Sequence, residues 1–434
     1  MYNLLVYFSF VVFIFIVYTE FGQLKKAIKI KNSNRTKSDF VLLEFIRPLT
    51  FFLLVPTFIP TPFEPNYVAM YDAINIFHIP PQIILAMPLS ATVCGSAIFA
   101  SIAGYIKYRI GLKVMIWIGS ANIIIGFSIC CICTNLLFYT FGKFIVGMGL
   151  GFVYVVMNTI IAGNDNDKIM QQGYSNYYAA YFSAINVGCI LGGAIATLYS
   201  YQLSFFIAML LALLALAITI YLTSDNSLTM ETATNSREAA DLSFYKFIFN
   251  RKVFALLFFV YFPYLISSYF LYYFFPLFSF NLGMDDFQIS QIFLFNGLFV
   301  VYLGPWLTPK LTKRLGYFKS TILGSCLCIG GMSLFIIKPT LEFAVLTVLV
   351  LGLADSFAYT AQTTYYNNLV IVREFGISKA NGIKSSVENF SYMFAPFIFS
   401  SALLIGTVSG ILLISSAMLV FLGAFSFSRG RKER

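Results

Sequence analysis

Of 434 residues, 59% are hydrophobic and 11% are charged, where a soluble domain carries about 25% charged residues. The apolar residues run in long blocks, which excludes a soluble globular domain. The net charge of +10 comes from Lys and Arg in short clusters between those blocks, with no basic run interleaved with aromatics, so no nucleic-acid partner is expected.

A bilayer core about 30 Å thick needs roughly 20 apolar residues per helical span. Only helices and closed barrels satisfy every backbone group in lipid, and these blocks are too long and continuous for barrel strands. In chain order, spans are expected near 4–20, 42–70, 81–106, 114–134, 138–162, 174–199 and 203–222. A polar stretch, 223–250, follows, and further spans are expected near 252–280, 287–308, 319–337, 342–368, 380–403 and 406–428. The expectation is an all-α membrane protein with one extra helix ahead of two sets of six. Residues 1–41 would hold the extra helix and a basic linker, 42–222 the first bundle, 223–250 a cytoplasmic linker and 251–434 the second bundle.

The first helix begins with uncharged Met-Tyr-Asn and is followed by no small-residue cleavage site, so an uncleaved helix is expected rather than a signal peptide. Lys25, Lys26, Lys29, Lys31, Arg35 and Lys37 are expected to follow it. Lys107, Arg109 and Lys113, then Lys310, Lys313, Arg314 and Lys319, and finally Arg429, Arg431, Lys432 and Arg434 recur on the same side of the predicted topology. Asp72, Asp285 and Asp286 fall in alternate loops. By the positive-inside rule the basic loops and the C-terminus are cytoplasmic and the N-terminus lies outside. The linker contains Asp225, Glu231, Glu238 and Asp241, with no enzymatic motif.

An internal repeat runs through the chain. Lys107-Tyr-Arg109-Ile-Gly111-Leu-Lys113 lies between the second and third core spans, and Thr312-Lys-Arg314-Leu-Gly316-Tyr-Phe-Lys319 occupies the same place 205 residues later. Gly147, Gly149 and Gly151 of the fourth core span match Gly352, Ala354 and Ser356 at the same offset. Gly188, Gly192 and Gly193 of the fifth match Ser391, Ala395 and Pro396 at an offset of 203. Small residues at four-residue spacing let helix backbones approach closely in lipid. A Gly after a helix is expected to supply a left-handed cap, with Arg and Lys facing helix C-termini and anionic headgroups.

These motifs resemble those of the major facilitator superfamily. The family's loop signature, Gly-x-x-x-Asp-Arg-x-Gly-Arg-Lys, reads here Gly104-Tyr-Ile-Lys-Tyr108-Arg109-Ile-Gly111-Leu112-Lys113. Its fourth-helix pattern reads Lys143-x-x-x-Gly147-x-Gly149, and its fifth-helix antiporter pattern survives in part at Gly188, Gly192 and Gly193. The resemblance covers 42–428 and implies two pseudo-symmetric six-helix bundles. It also implies a cytoplasmic gate at Gly104, Arg109, Gly111, Lys113, Arg314, Gly316 and Lys319. The signature Asp is replaced by Tyr108 and, in the second half, by Lys313, so the family's gate relay is altered.

Ionisable groups at mid-membrane cost about 2.5–3.5 kcal/mol each on insertion scales. Asp355 lies about thirteen residues into the tenth core span and Glu388 about nine into the eleventh, near mid-membrane at roughly 1.5 Å per residue. These two are expected to carry proton coupling or to bind a cationic group, against the alternative of protonated packing groups. Glu64 is expected to close a polar stripe formed with Thr50, Thr57 and Thr61 on a helix kinked by Pro56, Pro60, Pro62 and Pro65. Lys143, about one turn inside its span, either lines the cavity or snorkels outward. Tyr261, Tyr264, Ser268 and Tyr272 form a similar stripe in the seventh core span, and Asn158, Asn186, Gln362 and Asn389 are further polar groups at depth.

The expected function is secondary transport of a small molecule by two rocking halves. Proton-coupled export of amphiphilic or cationic compounds leads, and import of a sugar, amino acid or carboxylate is the alternative. Few buried cations are apparent, which disfavours anions. A non-transporting membrane sensor or scaffold is the reading of a different class. No phosphate-cradling Gly-x-x-x-x-Gly-Lys-Ser/Thr loop points to an ATP-driven pump, and His78, the single His, has no second ligand or nucleophile beside it. The seven cysteines lie in apolar blocks, so no metal site is expected. No cofactor and no catalytic residues are expected. The expected partners are substrate, protons and the bilayer of a cell membrane, with the chain as a monomer.

Overall fold

The computed structural model describes residues 2–32, 39–71, 80–162, 167–224 and 244–428. Asp72, His78, Arg35, Lys37, the four linker acids and the basic C-terminal cluster lie outside the described residues. The described residues are predominantly helical, and ten helical segments among them are long and apolar enough to cross a membrane.

The first unit by contact comprises Met1–Asp72, Ala91–Thr234 and Met284–Leu294. Its α1 runs Tyr2–Asn32, longer than the expected 4–20. Lys25, Lys26, Lys29 and Lys31 therefore lie on the helix rather than after it, because no proline interrupts it and lysine is a good helix former. α1 packs on α2 (Asp39–Phe58), α6 (Asp167–Leu198) and α7 (Tyr201–Thr223). Glu20, fully buried, takes Arg47 of α2 in a two-pronged ion pair, with Arg47 Nη2 at 2.8 Å from Oε1 and Nε at 3.1 Å from Oε2. Lys26 pairs with Glu44 at 2.9 Å. The extra helix is thus tied to the bundle by charge as well as by packing.

The prolines after Val55 do more than kink their helix. α2 ends at Phe58, the backbone turns through Pro60 and Pro62, and a short α3 (Glu64–Ala69) restarts with Pro65 in its first turn. Thr50, Thr57, Thr61 and Glu64 accordingly do not share one continuous helical face, which corrects the predicted stripe. Each proline lacks an N–H and crowds the preceding turn, and this cluster is too dense for a helix to run through.

α4 (Pro81–Ile132) bends at Gly111, and α5 (Leu136–Ala162) follows. The C-terminal end of α7 is capped by cations. Lys31 Nζ donates to the Tyr221 carbonyl, and Lys113 Nζ lies 2.8 Å from the Ser224 carbonyl. Cations at a helix C-terminus satisfy its orphan carbonyls and its dipole.

The second unit comprises Ala73–Ser90, Asn235–Gly283 and Phe295–Arg434. After the five-residue α8 (Phe244–Ile248), the seventh core span is built from α9 (Arg251–Leu256), α10 (Phe262–Ser267) and α11 (Phe275–Asn281). Two π-type turns, Leu257–Tyr261 and Phe270–Phe274, join them. α12 (Asp286–Leu298) begins in the first unit and ends in the second. A third π-type turn leads to α13 (Gly304–Ile337), which bends at Gly316. α14 (Leu341–Asn367), the short α15 (Val370–Phe375), α16 (Ile377–Ile405) and α17 (Thr407–Ser428) complete the unit.

The repeat is visible in the packing of each unit. A Cβ on Gly119 would press on Val153, and a Cβ on Gly324 would press on Ala358, the same pair 205 residues later. Gly147 lies against the Thr92 backbone, and Gly352 against Asn296.

Candidate functional site

Both predicted mid-membrane acids are held by tyrosine hydroxyls within the second unit. Tyr264 of α10 donates to Asp355 Oδ1 of α14 at 2.6 Å. Tyr261 donates to Glu388 Oε2 of α16 at 3.0 Å, and Tyr359 of α14 reaches the same oxygen at 3.4 Å. The π-type turn that ends at Tyr261 inserts an extra residue into the helix. Tyr261 and Tyr264, about one turn apart, reach two different partner helices. Both acids are half-buried and face protein groups.

A third charge belongs to this cluster. Lys384 of α16 is 5% exposed and sits one turn before Glu388, on the same helical face. Its Nζ donates to Thr363 Oγ1 at 2.7 Å and lies 4.8 and 4.7 Å from the ring centres of Tyr261 and Tyr359. The expectation of few buried cations missed it, because four residues into a predicted span it resembles a loop charge. Its signal was the i, i+4 spacing from Glu388. Gln362, also on α14, is 1% exposed, and neither amide atom has a partner. Asn389 is half-buried beside Glu388. Tyr272 packs edge-on against Tyr269.

In the first unit Glu64 and Lys143 form a closed group. Lys143 Nζ lies 2.9 Å from Glu64 Oε2, and the Tyr139 hydroxyl donates to Oε1 at 3.0 Å. Lys143 is 3% exposed, so it turns inward rather than snorkelling. Glu64 reaches it because the proline turn redirects the chain. Asn158 is exposed and donates to Tyr154 of its own helix at 2.9 Å, so it does not join this group. Asn186 is buried, and its Oδ1 has no partner.

On the same short helix as Glu64, Asn66 donates to Asp286 Oδ1 at 2.8 Å. Both residues are buried. Burial pushes the Asp286 carboxyl above its ordinary range, against the smaller opposing effects of Asn66 and the Tyr201 hydroxyl.

Several glycines of the first unit lie at close approaches between helices. Gly188 lies against Val55 and Phe58, Gly192 against the Ile59 carbonyl, Gly193 against Asp286 and Ser290, and Gly149 against Gly119. The basic loop residues Arg109, Arg314 and Lys319 are exposed. Gly104 has open space around it. Gly111 and Gly316 take φ 75 with ψ 155 and 163, which is not the expected left-handed cap but the extended positive-φ region open essentially to glycine alone.

The family model described as Major Facilitator Superfamily matches residues 40–396. The chain belongs to that superfamily. It is therefore a multi-pass integral membrane protein of a small-molecule transporter family, in which two pseudo-symmetric six-helix bundles are preceded by one extra helix. The family match begins after α1. Among solved structures, the superfamily member is similar to the POT family transporter PepTSo, with TM-score 0.67 and 12% identity over 89% of this chain and 97% of that one. It is also similar to the nucleoside transporter NupG, with TM-score 0.61 and 13% identity over 88% and 96%. A third is the human organic anion transporter MFSD10 (TETRAN), with TM-score 0.62 and 14% identity over 88% and 98%. At these identities the likeness is one of fold. By sequence, nothing among curated proteins matches significantly.

Proposed function

We propose that this superfamily member is a proton-coupled secondary transporter of a small organic solute, with Asp355 and Glu388 as the groups that take and release the coupling proton. The observation that supports this most is their setting. Two carboxyl groups lie well inside α14 and α16, each held by tyrosine hydroxyls that suit either protonation state. Glu64 and Lys143 neutralise each other and serve as a structural pair.

Export of amphiphilic or cationic compounds follows from the two acids, the aromatic surroundings and the partial fifth-helix motif. Lys384 favours a second reading, in which the solute carries an anionic group. The basic loops face the cytoplasm of a cell membrane, with the N-terminus outside, the C-terminus inside and the chain acting as a monomer.

Purified protein in liposomes carrying an internal pH reporter tests the proposal. A transporter shows proton movement that depends on an added solute from a panel of organic cations, sugars, amino acids and carboxylates. A sensor or scaffold with this fold shows none.

A further inference from the structure

The two buried lysines differ in one respect. Lys143 has a carboxylate at 2.9 Å, whereas no carboxylate among the described residues lies within ion-pairing distance of Lys384. The cause is visible in the tyrosines. Tyr261 and Tyr359 present ring faces to the Lys384 ammonium and hydroxyls to Glu388, so they stand between cation and anion. An ammonium has three donors. One goes to Thr363, and two aromatic faces are a weaker substitute for an anion than a carboxylate. Tyr359 and Thr363, four residues apart on α14, both meet Lys384, and next to Thr363 in the chain the buried Gln362 amide leaves donor and acceptor unpartnered. A buried amide left in that state marks a place where another polar group belongs.

We propose that Lys384, Thr363 and Gln362 form a subsite for a carboxylate group of the transported solute. The ammonium supplies the charge, and the Gln362 Nε2 supplies a second donor. Tyr261 and Tyr359 hold Lys384 in place and give the subsite an aromatic wall. The inference rests on the proton-coupling reading in one respect. A carboxylate added to one cation and two acids leaves excess negative charge in a low dielectric unless an acid takes a proton.

The test is thermal unfolding of the full-length protein in detergent with acetate, lactate, benzoate and glutamate, each compared with its uncharged or side-chain amide. At least one carboxylate should raise the midpoint in a concentration-dependent way, with its amide inert. Lys384→Gln should abolish the response and Lys384→Arg retain it. Thr363→Val should weaken it, and this variant keeps the test decisive if Lys384→Gln does not fold. The inference is overturned if no carboxylate stabilises, if carboxylates and amides act alike, or if Lys384→Gln or Thr363→Val responds as the unaltered protein does. Loss of solute-driven proton movement with the carboxylate response intact would instead remove the coupling reading and leave the subsite standing.

Discussion

Gly111 and Gly316, 205 residues apart, bend their helices with the same backbone, φ 75 at both and ψ 155 and 163. No neighbour lies within 4 Å of where a Cβ would sit on either, so the demand for glycine is conformational rather than steric. An L side chain in this region costs on the order of 1–3 kcal/mol. Gly111→Ala and Gly316→Ala should each lower the unfolding midpoint in detergent. Gly104→Ala, in open helical surroundings, should be neutral or stabilising by up to about 1 kcal/mol. Equal midpoints for all three would contradict the backbone argument.

Gly192 makes the opposite case. A methyl there would collide with the Ile59 carbonyl, and one at Gly147 with the Thr92 backbone. Neither obstacle is a flexible side chain, so the helices must part. Overpacking of this kind costs about 1–3 kcal/mol. Gly192→Ala and Gly147→Ala should lower both the yield of folded protein and its melting midpoint, and wild-type behaviour in both would refute the close approach.

The Glu64–Lys143 pair is buried on both sides, with Tyr139 closing it. Removing one partner leaves an uncompensated charge, at a cost of about 3–5 kcal/mol. Glu64→Gln and Lys143→Met should each destabilise strongly. The double variant should recover most of the loss, because no lone charge remains. A double variant whose loss equals the sum of the two singles would show that the groups do not interact.

The repeat was legible because it depends on glycine, whose backbone freedom and lack of volume are properties of the residue itself. Asp355 and Glu388 were legible because a carboxylate far inside an apolar block has no ordinary reason to be there. Tyr261 and Tyr264 were found through their spacing, but their division between two acids was not, since it depends on which partner helix lies against each. Glu20, Arg47 and Lys384 were missed for a shared reason. Each lies within a few residues of a predicted span end, where a charge is unremarkable unless its partner is known. Such partners lie on other helices, or one turn away, and a hydropathy window does not register them. The stripe on the first core helix failed because four prolines in ten residues were read as a kink, whereas the backbone needs a full turn there.

Asp286 gives a pH dependence with a definite sign. Its folded-state pKa is raised, chiefly by burial, above the unfolded value. Its contribution is therefore fully present below the ordinary carboxylate range and is lost as pH rises through the raised value. The neutral acid also has an O–H, a donor of the kind that the unpartnered Asn66 Oδ1 lacks. Wild-type stability should fall relative to Asp286→Asn across that window. Parallel melting curves against pH for the two proteins would contradict it.

The most direct test lies with the buried acids of the second unit. In proteoliposomes, solute-driven proton movement by the unaltered protein should be lost in Asp355→Asn and in Glu388→Gln, while both variants remain folded. Unchanged proton movement in both would show that neither carboxyl group carries the coupling.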